Sequence, residues 1–393
     1  MRESDNFSGL VDARPPLRTT LTPLLDLSAA ARFDSIDDLL NVHQDLSQNL
    51  RYSRDQSHLS MFVEEWLEQD PGYAGKRALV FPSGMAAIDC FFSIFCDDDC
   101  TIFMPPEQYR KTRDLAYFWS RNVKTYDGGR DLRVQLSQCT STSKIVLAES
   151  PGNPHLRLVN IEAIGAISRE FGARTFFDAT FAGLGNAYQA YEYFDAVVHS
   201  ATKYIGGHND VVAGVLFLED SERERFWKRR GATCGPLDPF SCFLIARSLE
   251  TYDLRLEAQL DRTRGVIDFI EKAVSEGRLR QFWYPGAGAN DDQRDLAMTQ
   301  LIHRGAVLSF EAFRPLPSSH SLSVLAPFSM APSFGSVRTL FEQPSVMSHY
   351  GKSEQELSMI GLEENLIRLS IGLESTGKLL AALDRLVGLV GPE

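Results

Sequence analysis

Between residues 78 and 218 short apolar runs alternate with stretches of helical periodicity, and this alternation narrows the possible folds more than any other feature. The runs are Ala78-Leu-Val-Phe81, Thr101-Ile-Phe-Met104, Lys144-Ile-Val-Leu-Ala148, Arg174-Thr-Phe-Phe177, Asp195-Ala-Val-Val198 and Gly214-Val-Leu-Phe-Leu218. Their length and their β-branched and aromatic content read as buried strands. Helical patterns lie between several of them, such as Met85 to Phe95 and Ile161 to Phe171. Strand–helix alternation predicts an α/β domain around a largely parallel sheet. Sites in such sheets lie in the crevice at the carboxyl ends of the strands. The residues just after each run are therefore the first candidates for chemistry.

The flanking regions read differently. Residues 1 to about 20 are polar and proline-bearing and predict an irregular arm. Residues 28–50 predict a helix with Phe33, Ile36, Leu39, Leu40 and Val42 on one face, and Leu59 to Leu67 a second helix. Residues 236–280 read as a long helical stretch leading to a smaller C-terminal unit. Val307–Glu311 and Ile367–Ile371 are the expected strands of that unit, and an amphipathic helix closes the chain at Gly377–Val390.

A chain of 393 residues has room for two domains. Its net charge of −12 argues against nucleic acid as a main partner. Cysteines at 90, 96, 100, 139, 234 and 242 include no CxxC pair, which predicts free thiols of a reducing compartment, with neither disulfides nor zinc. Met1-Arg-Glu-Ser-Asp-Asn-Phe7 has no apolar signal core, and no run reaches the roughly 18 apolar residues of a membrane span. The expected location is the cytoplasm.

Lys203 lies in Asp195-Ala-Val-Val-His-Ser-Ala-Thr-Lys-Tyr-Ile-Gly-Gly-His-Asn-Asp-Val-Val-Ala-Gly214, at a strand end between hydroxyls and a glycine pair. A lone lysine there is most simply a snorkelling one. With Ser200, Thr202, Gly206 and Gly207 around it, a Schiff-base lysine beside a phosphate site is the better reading. Asp178 ends another run and suits a cationic ring nitrogen, or a plain helix cap. Ser83-Gly84-Met85 opens a helix and offers amides to an anion. Asn153, in Glu149-Ser-Pro-Gly-Asn-Pro154, suits a ring oxygen or a proline turn. Tyr109 suits stacking on a flat cofactor. Arg368 interrupts an apolar run and suits a carboxylate, or an ordinary strand ion pair.

Together these segments resemble the Cys/Met-metabolism family of pyridoxal-phosphate enzymes, the group of cystathionine γ-synthase, cystathionine γ-lyase and methionine γ-lyase. The match runs from about residue 50 to 375. It is carried by His199-Ser-Ala-Thr-Lys-Tyr-Ile-Gly-Gly-His208, Ser83-Gly-Met-Ala-Ala-Ile88, Glu149-Ser-Pro-Gly-Asn-Pro154 and Ile367-Arg-Leu-Ser-Ile-Gly372. The resemblance implies a fold-type-I transferase-like α/β architecture with a mainly parallel seven-stranded sheet. It implies an N-terminal arm over 1–55, a large cofactor domain over 56–250 and a small domain over 251–393. Pyridoxal 5'-phosphate would join Lys203, with Asp178 on its ring nitrogen. Gly84, Met85, Ser200 and Thr202 would hold its phosphate, and Thr180 would also contact it. Tyr109 would stack on the ring and aid proton transfer. Asn153, Ser333 and Arg368 would face the substrate. Tyr52 and Arg54 match a Tyr-x-Arg that reaches a neighbouring subunit's phosphate, which implies dimers with shared sites, usually paired into homotetramers.

The chain departs from the family at several points. Asp55-Gln56-Ser57 stands where Gly-Asn-Pro is usual, Arg110-Lys111 where two glycines are frequent, and Ala179-Thr180 where Asn-Thr follows the aspartate. Pro332-Ser333-Phe334-Gly335 replaces Glu-Ser-Leu-Gly, and Val337-Arg338-Thr339-Leu340 replaces Val-Glu-Ser-Leu. The cofactor shell is kept and the substrate rim altered, with Asp55 to Ser57, Arg110, Lys111 and Pro332 to Arg338 expected to decide the substrate. The implied activity is γ-replacement or γ-elimination on an amino acid with a γ leaving group, such as an activated homoserine or a methionine derivative, through a vinylglycine-type intermediate. Two alternatives stay open: β-elimination on a cysteine-derived substrate, and a retired relative acting as an assembly subunit.

Overall fold

The computed structural model describes residues 22–44, 50–69, 75–287, 291–317, 322–347, 350–351, 357 and 361–392. The expected arm over residues 1–20 lies outside them. The predicted helix over 28–50 is shorter, α1 (Ile36–Gln44), because the residues before it are extended: Ala30 bridges Tyr52, and the Ala31 amide donates to Arg51 O at 2.9 Å. Helix α2 (His58–Glu68) is where it was expected, and Ser57 and Ser60 close its start in a reciprocal capping box.

The main sheet contains β1 (Arg77–Phe81), β2 (Cys100–Met104), β3 (Asn122–Thr125), β4 (Ser143–Glu149), β5 (Arg174–Asp178), β6 (Ala196–Ser200) and β7 (Gly214–Leu218), in the order β1-β7-β6-β5-β4-β2-β3. Strands β2 to β6 are parallel, and β7 runs antiparallel to both its neighbours. Helices α3 (Gly84–Phe95), α4 (Arg110–Trp119), α5 (Gly128–Ser137), α6 (Ile161–Glu170), α7 (Gln189–Tyr193) and α8 (Asp220–Ala232) complete this region. Alternate strand residues enter two separate cores: Val80, Phe177 and Val197 join one, and Phe81, Phe176 and Val198 the other. Burial of both faces explains why these strands read as unbroken apolar runs.

Strand β1 lies at the edge of the sheet, and side chains satisfy its outer backbone. Its Ala78 and Val80 amides donate to Glu68 Oε1 at 2.9 Å and Glu64 Oε1 at 3.0 Å. Arg230, fully buried at the end of α8, donates to Val80 O at 2.7 Å and Glu64 Oε1 at 2.6 Å.

The helical stretch over 236–280 is two helices, α9 (Pro239–Leu249) and α10 (Tyr252–Ser275). A second sheet follows, ordered β10-β11-β12-β9-β8, from β8 (Gln281–Trp283), β9 (Val307–Glu311), β10 (Ser329–Met330), β11 (Leu340–Glu342) and β12 (Leu366–Ser370). Helix α11 (Asp291–Gln300) precedes β9, and the terminal helix α12 (Thr376–Val390) packs on α10. Arg368 sits mid-way along β12, opposite Ser309 on one side and Glu342 on the other.

The Glu64–Arg230 pair is buried on both sides. Removing one member leaves the other buried and unpaired, at a cost of about 3–5 kcal/mol. Glu64→Ala is therefore expected to lower the unfolding free energy by that order, read from the urea midpoint of the cofactor-free protein.

Candidate active site

The antiparallel insertion of β7 brings the ends of β1 and β6 together. Gly214 stands opposite both Phe81 and Ser200. A Cβ on Gly214 would lie 2.4 Å from Ser83 O and 2.6 Å from Gly84 N, so only glycine fits there. A Cβ on Gly84 would meet Ser200 at 3.4 Å, which places the β1–α3 turn against Ser200. Ser83 caps α3 by accepting from the Ala86 amide at 3.0 Å. The result is a helix N-terminus with small residues around it, suited to an anion. The Thr202 hydroxyl accepts from the Ala213 amide at 3.0 Å and donates to Ala213 O at 3.3 Å, tying β6 to the start of β7. Met85 Sδ lies 4.0 Å from the Thr112 hydroxyl on α4.

Lys203 follows on the turn after β6. Its Nζ donates to Ser333 Oγ at 2.9 Å and lies 5.2 Å over the Phe334 ring. Burial, then the Arg368 charge, lowers its pKa to about 8 against the opposing pull of Glu342. The Gly206–Gly207 pair has a steric reason. Gly207 has φ +67°, and a Cβ there would collide with the Arg255 guanidinium, which enters to hold Tyr204 O at 2.9 Å, Ile205 O at 3.1 Å and Ser248 O at 2.9 Å. The lysine turn is thus clamped from beneath by a buried arginine.

Asp178 ends β5 in register with Glu149 at the end of β4. Its Oδ1 accepts from Thr180 N at 2.9 Å and Thr180 Oγ1 at 2.5 Å, and the Ser200 amide donates to Thr180 Oγ1 at 2.9 Å. Burial raises the Asp178 pKa, and the Thr180 bonds oppose the rise. Glu149 is pushed well above the usual carboxylate range by burial and by the Asp178 charge. Its Oε2 accepts from Gln108 Nε2 at 2.8 Å and from the Tyr109 amide at 2.6 Å, which pins Tyr109 at the start of α4. The Tyr109 phenol is raised by burial, then by the Asp178 and Glu149 charges, while Arg368 lowers it.

Arg368 lies on the other side of the group. It donates to Asn153 Oδ1 at 2.8 Å, pairs with Glu342 at 3.0 Å, and reaches Ser333 O at 3.4 Å. Its guanidinium is 5.4 Å from the rings of both Phe181 and Phe334, which stack on each other at 4.0 Å. One region thus gathers Lys203, Asp178, Thr180, Tyr109, Asn153, Ser333 and Arg368, beside the Ser83–Gly84–Ser200 cradle. Tyr52 and Arg54 stand outside this hydrogen-bonded group, exposed, with the Arg54 guanidinium 5.1 Å over the Tyr52 ring.

Several site features were not read from the sequence. Glu149 appeared only as part of a motif, although an acid closing an apolar run beside the Asp178 strand was a usable signal. Glu342 and the Phe181–Phe334 stack gave none, since their partners lie far along the chain. Two rim residues are corrected. Gln56 and Ser57 point inward, Gln56 to Arg230 and Trp227 and Ser57 into the α2 cap. The rim basic pair is offset in part, because Arg110 and Lys111 lie 3.9 and 3.6 Å from the one carboxylate of Asp114 on the same helix. Arg338 is exposed. A separate cavity of about 800 Å³, lined by Asn186, Tyr188, Tyr252 and His303 among others, contains none of the Lys203 group.

Known proteins are similar to this chain in fold and sequence. The crystal structure of cystathionine gamma synthase from Xanthomonas oryzae pv. oryzae, in complex with aminoacrylate and cysteine, superposes with a TM-score of 0.80 at 28% identity, covering 94% of this chain and 93% of that one. Cystathionine gamma-lyase from Lactobacillus plantarum, complexed with L-serine, gives 0.80 at 26% identity over 93% of each chain. The cystathionine beta-lyase of Lactococcus lactis subsp. cremoris (strain MG1363) is 31% identical over 84% of this chain and 86% of its own length. The L-methionine gamma-lyase of Fusobacterium nucleatum subsp. nucleatum is 31% identical over 62% of each. The model of the family described as Cys/Met metabolism PLP-dependent enzyme matches residues 12–387. With the match running through nearly the whole chain, this protein belongs to the Cys/Met-metabolism family of enzymes that depend on pyridoxal phosphate.

Proposed function

We propose that the chain carries out γ-replacement or γ-elimination on an amino acid bearing a γ leaving group, such as an activated homoserine or a methionine derivative. The observation that carries this reading is the state of Lys203. Its pKa is lowered to about 8 by burial and then by the Arg368 charge, and its Nζ donates to one hydroxyl, Ser333 Oγ. γ-Chemistry needs one base to serve neighbouring carbons in turn, and a near-neutral amine on a flexible four-carbon stem suits that work. Substrate-carboxylate binding falls to Arg368, whose planar fork is oriented by Asn153 and Glu342.

The residues fit the cofactor. Pyridoxal phosphate, when bound, supplies the electron sink that makes a substrate α-proton acidic. Asp178 is a buried carboxylate with both Thr180 bonds on Oδ1, which leaves Oδ2 to face a cationic ring nitrogen. The α3 N-terminus, with Gly84, Met85 and Ser200 beside it, is the phosphate cradle, and Thr202 holds the turn that closes it. Tyr109, pinned through Glu149, covers the ring face and stands near the reacting protons. Tyr52 and Arg54, exposed and outside the cluster, are assigned to the phosphate of a second copy. We read the assembly as dimers with shared sites, paired into a tetramer, with the N-terminal segment to residue 55 as the exchanged arm, residues 56–250 as the cofactor domain and 251–393 as the small domain. The six free cysteines support a reducing compartment, the cytoplasm. No helix among the described residues is long and apolar enough to cross a membrane.

β-Elimination on a cysteine-derived substrate is the second reading, favoured by the similarity to the Lactococcus β-lyase. It needs only the first proton removal. A non-catalytic assembly role finds no support beside a family of enzymes and an assembled lysine site.

Assay of 2-oxo acid release separates the readings. Release of 2-oxobutanoate from L-vinylglycine and from L-cystathionine is expected, and pyruvate from L-cystathionine as the sole product overturns the γ assignment. Lys203→Ala is expected to abolish turnover. Capture of pyridoxal phosphate by the apo-protein follows the Lys203 proton: the ammonium below about pH 8 is unreactive, so the capture rate rises through that pH. Glu342 raises the Lys203 pKa, so Glu342→Gln is expected to move the midpoint of this profile to lower pH in stopped-flow measurements.

A further inference from the structure

We propose that Gln56 is a positioning residue for the Tyr52–Arg54 arm, and that its lock on Arg230 in one subunit governs how tightly the neighbouring subunit holds its cofactor. The proposal rests on the reading that the arm serves the neighbour's phosphate, and the test below separates the failure of one from the failure of the other.

Gln56 is buried, and both polar atoms of its amide are bonded. Its Oε1 accepts from Arg230 NH2 at 2.8 Å and from Trp227 Nε1 at 3.0 Å, and its Nε2 donates to Glu64 Oε2 at 2.9 Å. These partners lie on α8 and α2. Directly before Gln56 the chain makes a tight turn, with the Asp55 and Gln56 amides both donating to Tyr52 O, at 2.9 and 3.2 Å. The outward-facing Tyr52 and Arg54 are carried on that turn. The turn rests on the end of α8 and the segment after it: a Cβ on Gly231 would come within 3.1 Å of Asp55 Oδ1, and one on Gly235, where φ is +70°, within 3.4 Å of Arg54 O. The arm thus has a seat shaped by two glycines and one bolt, Gln56, driven into a buried arginine.

The same arginine holds Val80 O, two residues before Pro82 and the Ser83–Gly84 turn. Arg230 keeps its bonds to Val80 O and Glu64 Oε1 without Gln56, so the loss of Gln56 frees the arm and leaves the β1 end of the same subunit anchored. Two exposed side chains that must be ordered at the moment of binding lose affinity to that ordering, and a seat fixed beforehand removes the cost. A neutral side chain bonded to a charged guanidinium contributes about a factor of ten at the order-of-magnitude level.

The test uses full-length hybrid oligomers, purified through two tags, in which one chain type carries Lys203→Ala and the other keeps Lys203. The readout is the rate at which pyridoxal phosphate leaves the Lys203 site on dilution. With Gln56→Ala on the Lys203→Ala chain, release is expected to be about tenfold faster than in the unsubstituted hybrid. With Gln56→Ala on the Lys203-bearing chain, release is expected to be near that of the unsubstituted hybrid. Equal effects from both placements, or no effect from the first, overturn the proposal. Arg54→Ala on the Lys203→Ala chain is the control. If it too is silent, the shared-site reading has failed; if it accelerates release while Gln56→Ala does not, only the anchor has failed. Should Gln56→Ala assemble poorly, Trp227→Phe removes one of the two donors to Gln56 Oε1. It is expected to show the same dependence on placement with a smaller change, about threefold, and a response independent of placement overturns the proposal.

Discussion

A single missing side chain governs the geometry of the side of this site proposed to take the phosphate. Strand β7 enters antiparallel between β1 and β6, and its first residue, Gly214, stands against the turn at Ser83 and Gly84. Because Gly214 has no Cβ, β1 ends close enough for the start of α3 to meet Ser200. The lysine turn is then set two residues beyond that point by Thr202, which grips both backbone groups of Ala213. The start of α3 and the Lys203 turn are brought together by one sheet register.

Charge burial does the rest. Two carboxylates, Glu149 and Asp178, end neighbouring strands, and Lys203, Arg368 and Glu342 close the opposite side. Desolvation presses Glu149 and Asp178 toward their neutral forms and Lys203 toward the free amine. Backbone and hydroxyl donors act against that pressure where charge is needed, as Thr180 does at Asp178. The Arg368 guanidinium is held between Asn153, Glu342 and two aromatic faces. The site therefore holds groups with unlike proton affinities within one buried region, as acid–base chemistry requires.

Much of this could be read from the chain before its fold was known, and the limits of that reading are physical. Doubly buried strands advertise themselves as apolar runs, which is why β1, β2 and β4 to β7 were legible. Strand β3, Asn122-Val-Lys-Thr, has one apolar residue and lies at an edge, so it carries no such signal. The short strands β8, β10 and β11 were missed as well, two or three residues each being too few to set a period. Lys203, Asp178 and the Ser83 turn each stand at the end of an apolar run among small or hydroxyl residues, a local pattern that is legible even though the Ser333 partner of Lys203 lies 130 residues away. Gln56 was misassigned to the substrate rim because its partners lie 171 and 174 residues away, and no local pattern discloses such a contact. The long helical stretch before the second sheet was read as continuous because nothing at Glu250–Thr251 breaks its composition, although the backbone divides there into α9 and α10.

The dressing of β1 by Glu64, Glu68 and Arg230 has a further consequence. An uncovered edge strand is a template on which a second chain can add its own backbone, and such growth has no natural end. Here the outward Ala78 and Val80 groups are already taken. The other end of the sheet, β3, is four residues long and carries Lys124. With both margins of this sheet unsuited to strand addition, any self-association is left to side-chain surfaces, where rotational symmetry can close it at a finite number of subunits instead of letting it run on as a fibre.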